Sequence, residues 1–379
     1  MGPRPRPNPR QPCILPSLLV APVLILLVLL SCSSYVESSA LTRALNNTVS
    51  ALFVFGDSTS DPGNNNYVST IFKGNFLPYG QDFADHRPTG RFTNGRLASD
   101  YIISYTGIKD YVPPYLDPSL SIEELMTGVS FASAGSGFDP LTPSLSNVVS
   151  LPKQLEYFKE YKERIASAAG EQEMERLMSK AVFLLSAGTN DFVVNYFTVP
   201  IRRRSFTVFA YQQFLMQQIK DIIQGLWDEG ARRIAVVGLP PMGCLPIMIT
   251  LNSDHAITQR GCMDQYSSVA RDYNSLLQAE LGIMQNGLAS RGARIYYADI
   301  YQPLLDMIQR SDAYGFDEAS TGCCGTGLLE AAFLCNPKSY VCSDASKYVF
   351  WDSIHPTEKT YYLIFQALLP VVDRVISDD

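Results

Sequence analysis

Residues 51–66 read ALFVFGDSTSDPGNNN, five apolar residues (Ala51–Phe55) that stop at a glycine and a run of short polar side chains. A continuous apolar run, rather than an alternating one, is expected for a strand buried on both faces of a parallel sheet. The signature returns at Val129–Ala132 (VSFA), Ala181–Ser186 (AVFLLS), Arg233–Gly238 (RIAVVG) and Arg294–Ile300 (RIYYADI). Helical periodicity fills the intervals, around Leu97–Tyr105, Gln154–Ala168, Phe206–Glu229, Tyr266–Gln285 and Thr357–Ile376. This alternation predicts an α/β fold: a three-layer α/β/α sandwich around a five-stranded parallel sheet. No linker or internal repeat interrupts it, so residues 41–379 are expected to form a single domain.

Composition narrows the function. The 379 residues carry 30 Lys+Arg against 37 Asp+Glu, a net charge of −7. Charged residues are 18% of the chain and aromatics 11%, which excludes a disordered acidic polypeptide. A net negative chain with one dense basic run, Arg202-Arg203-Arg204, lacks the face that a nucleic acid partner needs. That run is expected to be a solvated loop.

The first forty residues differ from the rest. Arg4, Arg6 and Arg10 precede an uncharged stretch at residues 18–30, LLVAPVLILLVLL, and Ser38-Ser39-Ala40 supplies small residues for cleavage. This layout predicts a signal peptide over residues 1–40 and a secreted, extracellular protein. The rival is an uncleaved anchor, but the apolar run is shorter than the roughly 20 residues a span needs. No later stretch is long and apolar enough, so no stable membrane span is expected after removal of the leader.

Cysteines agree with an oxidising compartment. Cys13 and Cys32 fall in the leader; Cys244, Cys262, Cys323, Cys324, Cys335 and Cys342 remain. Cys244 with Cys262 is the natural local disulfide, and the other four are expected to pair among themselves. Zinc is the rival, although adjacent Cys323 and Cys324 would be awkward tetrahedral ligands. Asn46-Asn47-Thr48 is an N-x-S/T sequon, which makes Asn46 a candidate for N-glycosylation.

In open α/β sheets ligands bind beyond the carboxyl ends of the strands. The first such exit presents Ser58 after Gly56-Asp57; a helix starting there would favour an anion beside the hydroxyl. The bland alternative is an ordinary helix cap. The exit Gly188-Thr189-Asn190-Asp191 offers an uncharged amide that can donate to a developing oxyanion, or merely close a turn. The exit Ser133–Gly137 offers flexible backbone. A serine needs a base, and only His86, His255 and His355 are available. His355 alone has a carboxylate set to orient it, three residues earlier in Asp352-Ser353-Ile354-His355-Pro356. Tyr67, Phe76, Tyr79 and Phe92 are either pocket walls or core.

Taken together, FVFGDSTSDPGNNN, GVSFASAGSG, GTNDF, GLPPMGCLP, CCGTG and YVFWDSIHPTE resemble the blocks of the SGNH hydrolases, and more narrowly of plant GDSL esterase/lipases. The resemblance runs from Ala51 to the C-terminus. It departs at Thr59, where the family name implies Leu, and at Ala134, where many relatives carry a second glycine.

By that resemblance Ser58 is the nucleophile, His355 the general base and Asp352 its orienting acid. The backbone N–H groups of Ser58 and Gly135 and the Asn190 side chain form the oxyanion hole. The implied activity is hydrolysis of carboxylic esters (lipid, polyester or acetylated carbohydrate) through an acyl-serine intermediate. No metal or organic cofactor is expected, and the partner is a small-molecule or polymer ester. An acyltransferase using the same acyl-enzyme and a non-catalytic extracellular binding protein are the alternatives.

Overall fold

The computed structural model describes residues 1–2 and 49–377. The expected leader and Asn46 lie outside the described residues. Four parallel strands, β1 (Leu52–Gly56), β2 (Val182–Ser186), β3 (Arg233–Val237) and β4 (Arg294–Ala298), pair in the order β1-β2-β3-β4. Every residue of β1 and β3 is buried, as their unbroken apolar runs require. The principal helices are α1 (Ala98–Thr106), α2 (Leu151–Ala169), α3 (Glu171–Lys180), α4 (Val208–Asp228), α5 (Asp264–Leu288), α6 (Tyr301–Gln309) and α7 (Glu358–Ile376).

Strand alternation assigns the two faces of the sheet. Phe53 and Phe183 meet Phe158 of α2 at centroid distances of 5.4 and 5.5 Å, and Tyr161 lies 5.1 Å from Phe53. Leu52, Leu184 and Ala235 point the other way, toward α7. Helices α4 and α5 pack together in succession from α2, while α7 lies against β3, β4, α1 and α6. The α/β/α sandwich therefore stands.

The sheet has four strands rather than five. Val129–Ala132 runs beside β1 and exchanges backbone bonds with it, from Val54 N to Val129 O at 3.1 Å and from Phe131 N to Val54 O at 2.7 Å. It forms only an isolated parallel bridge, Val54 with Ser130. The next N–H on that edge of β1, Gly56 N, donates to Gln154 Oε1 at 2.9 Å instead of extending the pairing. A separate parallel pair, β5 (Glu318–Gly322) with β6 (Tyr348–Phe350), carries too little apolar sequence in EASTG to be read as strand in advance. Helix α3 escapes for a similar reason, since it buries only Met174, Leu177 and Met178.

Three disulfides form: Cys244–Cys262, Cys323–Cys342 and Cys324–Cys335. The latter two hold the segment that leads out of β5. There Cys323 N donates to Phe350 O and Cys324 N to Trp351 O, immediately before Asp352. Among the described residues no helix is long and apolar enough to cross a membrane, and no cluster of potential metal ligands occurs.

Candidate active site

Strand β1 delivers Ser58 to the carboxyl edge of the sheet. Gly56 has φ +142°, and a Cβ there would run into the carbonyl oxygen of Ser186, so only glycine lets β1 leave the sheet this close to β2. Buried Gln154 of α2 brackets Gly56, its Oε1 accepting from Gly56 N and its Nε2 donating to Gly56 O, both at 2.9 Å. No α-helix starts at Ser58. Ser58 sits in a turn held by Asp57, whose Oδ1 accepts from the N–H and the hydroxyl of Thr59 at 3.0 and 2.9 Å. Burial pushes the Asp57 carboxyl up to about 6, against the pull of those bonds and of His355.

The loop between β6 and α7 brings the imidazole. Asp352 Oδ1 accepts the N–H groups of Ile354 and His355 at 2.8 and 2.7 Å, which turns the chain so that the His355 ring comes back over the carboxylate. Nδ1 of His355 then lies 2.7 Å from Asp352 Oδ2 and Nε2 lies 2.8 Å from Ser58 Oγ. Ser58 and His355 are 7% and 4% exposed and Asp352 is fully buried, so the chain of contacts is shielded from bulk water. The other two histidines are remote from it in role: His86 and His255 are exposed.

Asn190 projects from the end of β2 and donates from Nδ2 to Ser136 O at 2.9 Å. Among the described residues, its second Nδ2–H and the N–H groups of Ser58 and Gly135 meet no acceptor. These are free donors of the kind an oxyanion needs. Gly135, at φ +86°, reaches the site through its neighbour Ser136 rather than through a direct bond to Ser58.

Several supporting residues carry no advance signal beyond being short polar groups after a buried strand. Asp61 accepts from Gly63, Asn64 and Ala134; Asn64 donates to the carbonyls of Ser130 and Ala132, and Asn65 to that of Ala134. Together they clamp residues 130–134 beside Ser58. Asp191 accepts from the N–H groups of Phe138 and Asp139 at 2.8 and 3.1 Å and from the Thr142 hydroxyl, so the next residue after Asn190 ties down the loop that Asn190 touches. Burial raises Asp61 to about 6 and Asp191 to about 7.

One expectation changes here. Arg202 is not a solvated cation: its Nε and Nη2 grip both oxygens of fully buried Asp139 at 2.6 Å. Of the two readings of the aromatics, core is the one that holds for Tyr79 and Phe92. Tyr67 is exposed, while Tyr79 and Phe92 are buried around the loop that carries Asp352 and His355, with Phe92 5.1 Å from the His355 ring and Tyr79 against Trp351. The pocket that opens at Ser58 and Asn190 is walled instead by aliphatic residues such as Leu184, Val237, Leu304 and Ile364.

Residues 52–368 match the GDSL-like lipase/acylhydrolase family. A GDSL esterase/lipase of Arabidopsis thaliana is 60% identical over 331 residues, covering 87% of this chain and 88% of that relative. A second from Arabidopsis thaliana is 42% identical over 347 residues, covering 92% of this chain and 95% of its own, and a third is 43% identical over 332 residues, with 86% and 91% covered. The likeness extends over nearly the whole of each partner, and the chain belongs to the GDSL-like lipase/acylhydrolase family of carboxylic ester hydrolases.

Proposed function

We propose that the protein is an exported serine esterase that cleaves carboxylic esters through an acyl-Ser58 intermediate. The observation that carries this reading is the continuous relay from Asp352 Oδ2 to His355 Nδ1 at 2.7 Å and from His355 Nε2 to Ser58 Oγ at 2.8 Å. His355 Nε2 takes the Ser58 proton as Oγ attacks the ester carbonyl, and Asp352 stabilises the imidazolium without itself being protonated. The carbonyl oxygen, now negative, is met by Asn190 Nδ2 and the N–H groups of Ser58 and Gly135. His355 returns the proton to the departing alcohol. Water then attacks the acyl-enzyme with His355 again as base, releasing the acid and restoring the Ser58 hydroxyl.

Three disulfides support work in an oxidising compartment, in keeping with the leader-like residues 1–40. The same reading takes residues 41–379 as one hydrolase domain. Turnover of an aryl acetate tests it. Ser58→Ala and His355→Ala are expected to lose it while remaining folded, and undiminished hydrolysis by Ser58→Ala overturns the assignment of the nucleophile.

A further inference from the structure

The pocket at Ser58 holds a polar side chain that the ester mechanism does not use. Tyr361 of α7 lines it and is 4% exposed, and its phenol oxygen is buried without a hydrogen-bond partner among the described residues. Thr357 caps α7, so Tyr361 stands in the opening turns of the helix, six residues after His355. Long side chains on a helix lean back toward its N-terminus, here toward the loop that carries Asp352 and His355. Burial, together with the charges of Asp57 and Asp352, holds the phenol proton on well above the ordinary range. At any working pH the group is a donor.

Asp57 supplies the complement. It is buried and lines the same pocket. Its Oδ1 is taken by the N–H and the hydroxyl of Thr59, while its Oδ2 makes no hydrogen bond to any described residue. Neighbouring polar groups of the wall are already occupied, since Thr59 bonds Ser186 and Ser58 bonds His355. No bond joins Tyr361 to Asp57. A buried polar group left unpaired destabilises the free protein, so a partner that arrives from outside gains by meeting it. One free donor and one free acceptor in a single pocket suit a hydroxyl, which takes one bond and gives another.

We propose that Tyr361 Oη and Asp57 Oδ2 recognise a hydroxyl on the acyl group, and that the protein selects esters of short hydroxy acids. This rests on the esterase reading above. Asp57 adjoins Ser58 in sequence, which keeps the recognised hydroxyl within two or three carbons of the ester carbonyl. The pocket takes its walls from β2, β3, α1, α6 and α7. Such a site suits the acyl group, which stays on Ser58 after the alcohol has left. Tyr361 then donates to the substrate hydroxyl, and that hydroxyl donates to Asp57.

The test follows acid release by pH-stat near neutral pH, using the full protein. The substrates are methyl butyrate, methyl 2-hydroxybutyrate, methyl 3-hydroxybutyrate and 2-hydroxyethyl butyrate. Tyr361→Phe is expected to lower kcat/KM for at least one hydroxyacyl ester relative to methyl butyrate by roughly tenfold, chiefly through KM. The intrinsic reactivity of each ester cancels in the comparison of variant with wild type. The melting temperature of Tyr361→Phe is expected to stay level or rise, because an unpaired hydroxyl has been removed. A melting temperature lowered by several degrees shows instead a hydroxyl bonded within the free protein, and overturns the proposal. Relative rates unchanged for both hydroxyacyl esters, or changed for 2-hydroxyethyl butyrate alone, also overturn it while leaving the esterase reading intact. Turnover of methyl butyrate that survives Ser58→Ala overturns the esterase reading itself.

Discussion

The phenol of Tyr79 donates to Oδ2 of Asp352 at 2.7 Å, the same oxygen that faces Nδ1 of His355 at 2.7 Å. Tyr79 is fully buried, and burial together with Asp352 holds its proton on well above the ordinary range. The carboxylate thus has two side-chain donors on Oδ2 and two backbone donors on Oδ1, and its orientation is over-determined. Tyr79 is a positioning residue that acts through Asp352. Tyr79→Phe keeps the ring packing and removes one bond to a charged group. It is expected to lower kcat about tenfold with KM little changed, and to move the acid limb of the kcat/KM profile to higher pH. A merely structural tyrosine would leave that limb where it is.

Asn190 donates one amide hydrogen to Ser136 O, and the other is the donor proposed above for the oxyanion. Asn190→Ala is expected to reduce kcat by roughly 10²–10³, as the loss of one oxyanion donor does elsewhere, with a smaller effect on KM. Steady-state kinetics on an aryl ester read both. A fall in kcat below twofold would remove Asn190 from the oxyanion hole.

Asp139 is buried with its charge on. Burial pushes its carboxyl up, but Arg202, Leu141 N–H and Tyr211 outweigh that and hold it below the ordinary carboxylate range. Arg202→Met leaves the carboxylate without its cation and is expected to cost about 3 kcal/mol of stability, measured by denaturant unfolding. The double change Arg202→Met with Asp139→Asn is expected to recover part of the loss, because the stranded charge is gone.

Asp57, Asp61 and Asp191 have folded-state values of about 6, 6 and 7 against an ordinary 3.8. A carboxyl that holds its proton more tightly when folded favours the fold at low pH. That contribution is complete below pH 3.8 and is lost as the pH rises through 6 to 7. Melting temperature is therefore expected to fall between pH 5 and pH 8. A rise over that interval would contradict the burial argument for all three.

The architecture was legible because its strands are unbroken apolar runs, as in ALFVF and AVFLLS, and its long helices are periodic. Val129–Ala132 is the shortest of the runs and sits among glycines, and what denies it a ladder with β1 is Gln154, which takes the Gly56 N–H from 98 residues away, a tertiary fact. Ser58, Asp352 and His355 could be chosen because three histidines leave few choices and one has a carboxylate three residues before it. The link of Tyr79 to Asp352 could not be read, since 273 residues separate the two and nothing among 21 tyrosines marks one as a partner of that carboxylate. Arg202 misled for a similar reason. Its run of three reads as solvated, and the buried partner that singles it out lies 63 residues away.

The relay from Asp352 through His355 to Ser58 is tested most directly by a fluorescent alkyl phosphonate, with the adduct located by peptide mass spectrometry. A single adduct on Ser58 is expected, absent from Ser58→Ala and formed far more slowly in His355→Ala. Labelling that persists in folded Ser58→Ala, or an adduct mapped to any other residue, would contradict the account.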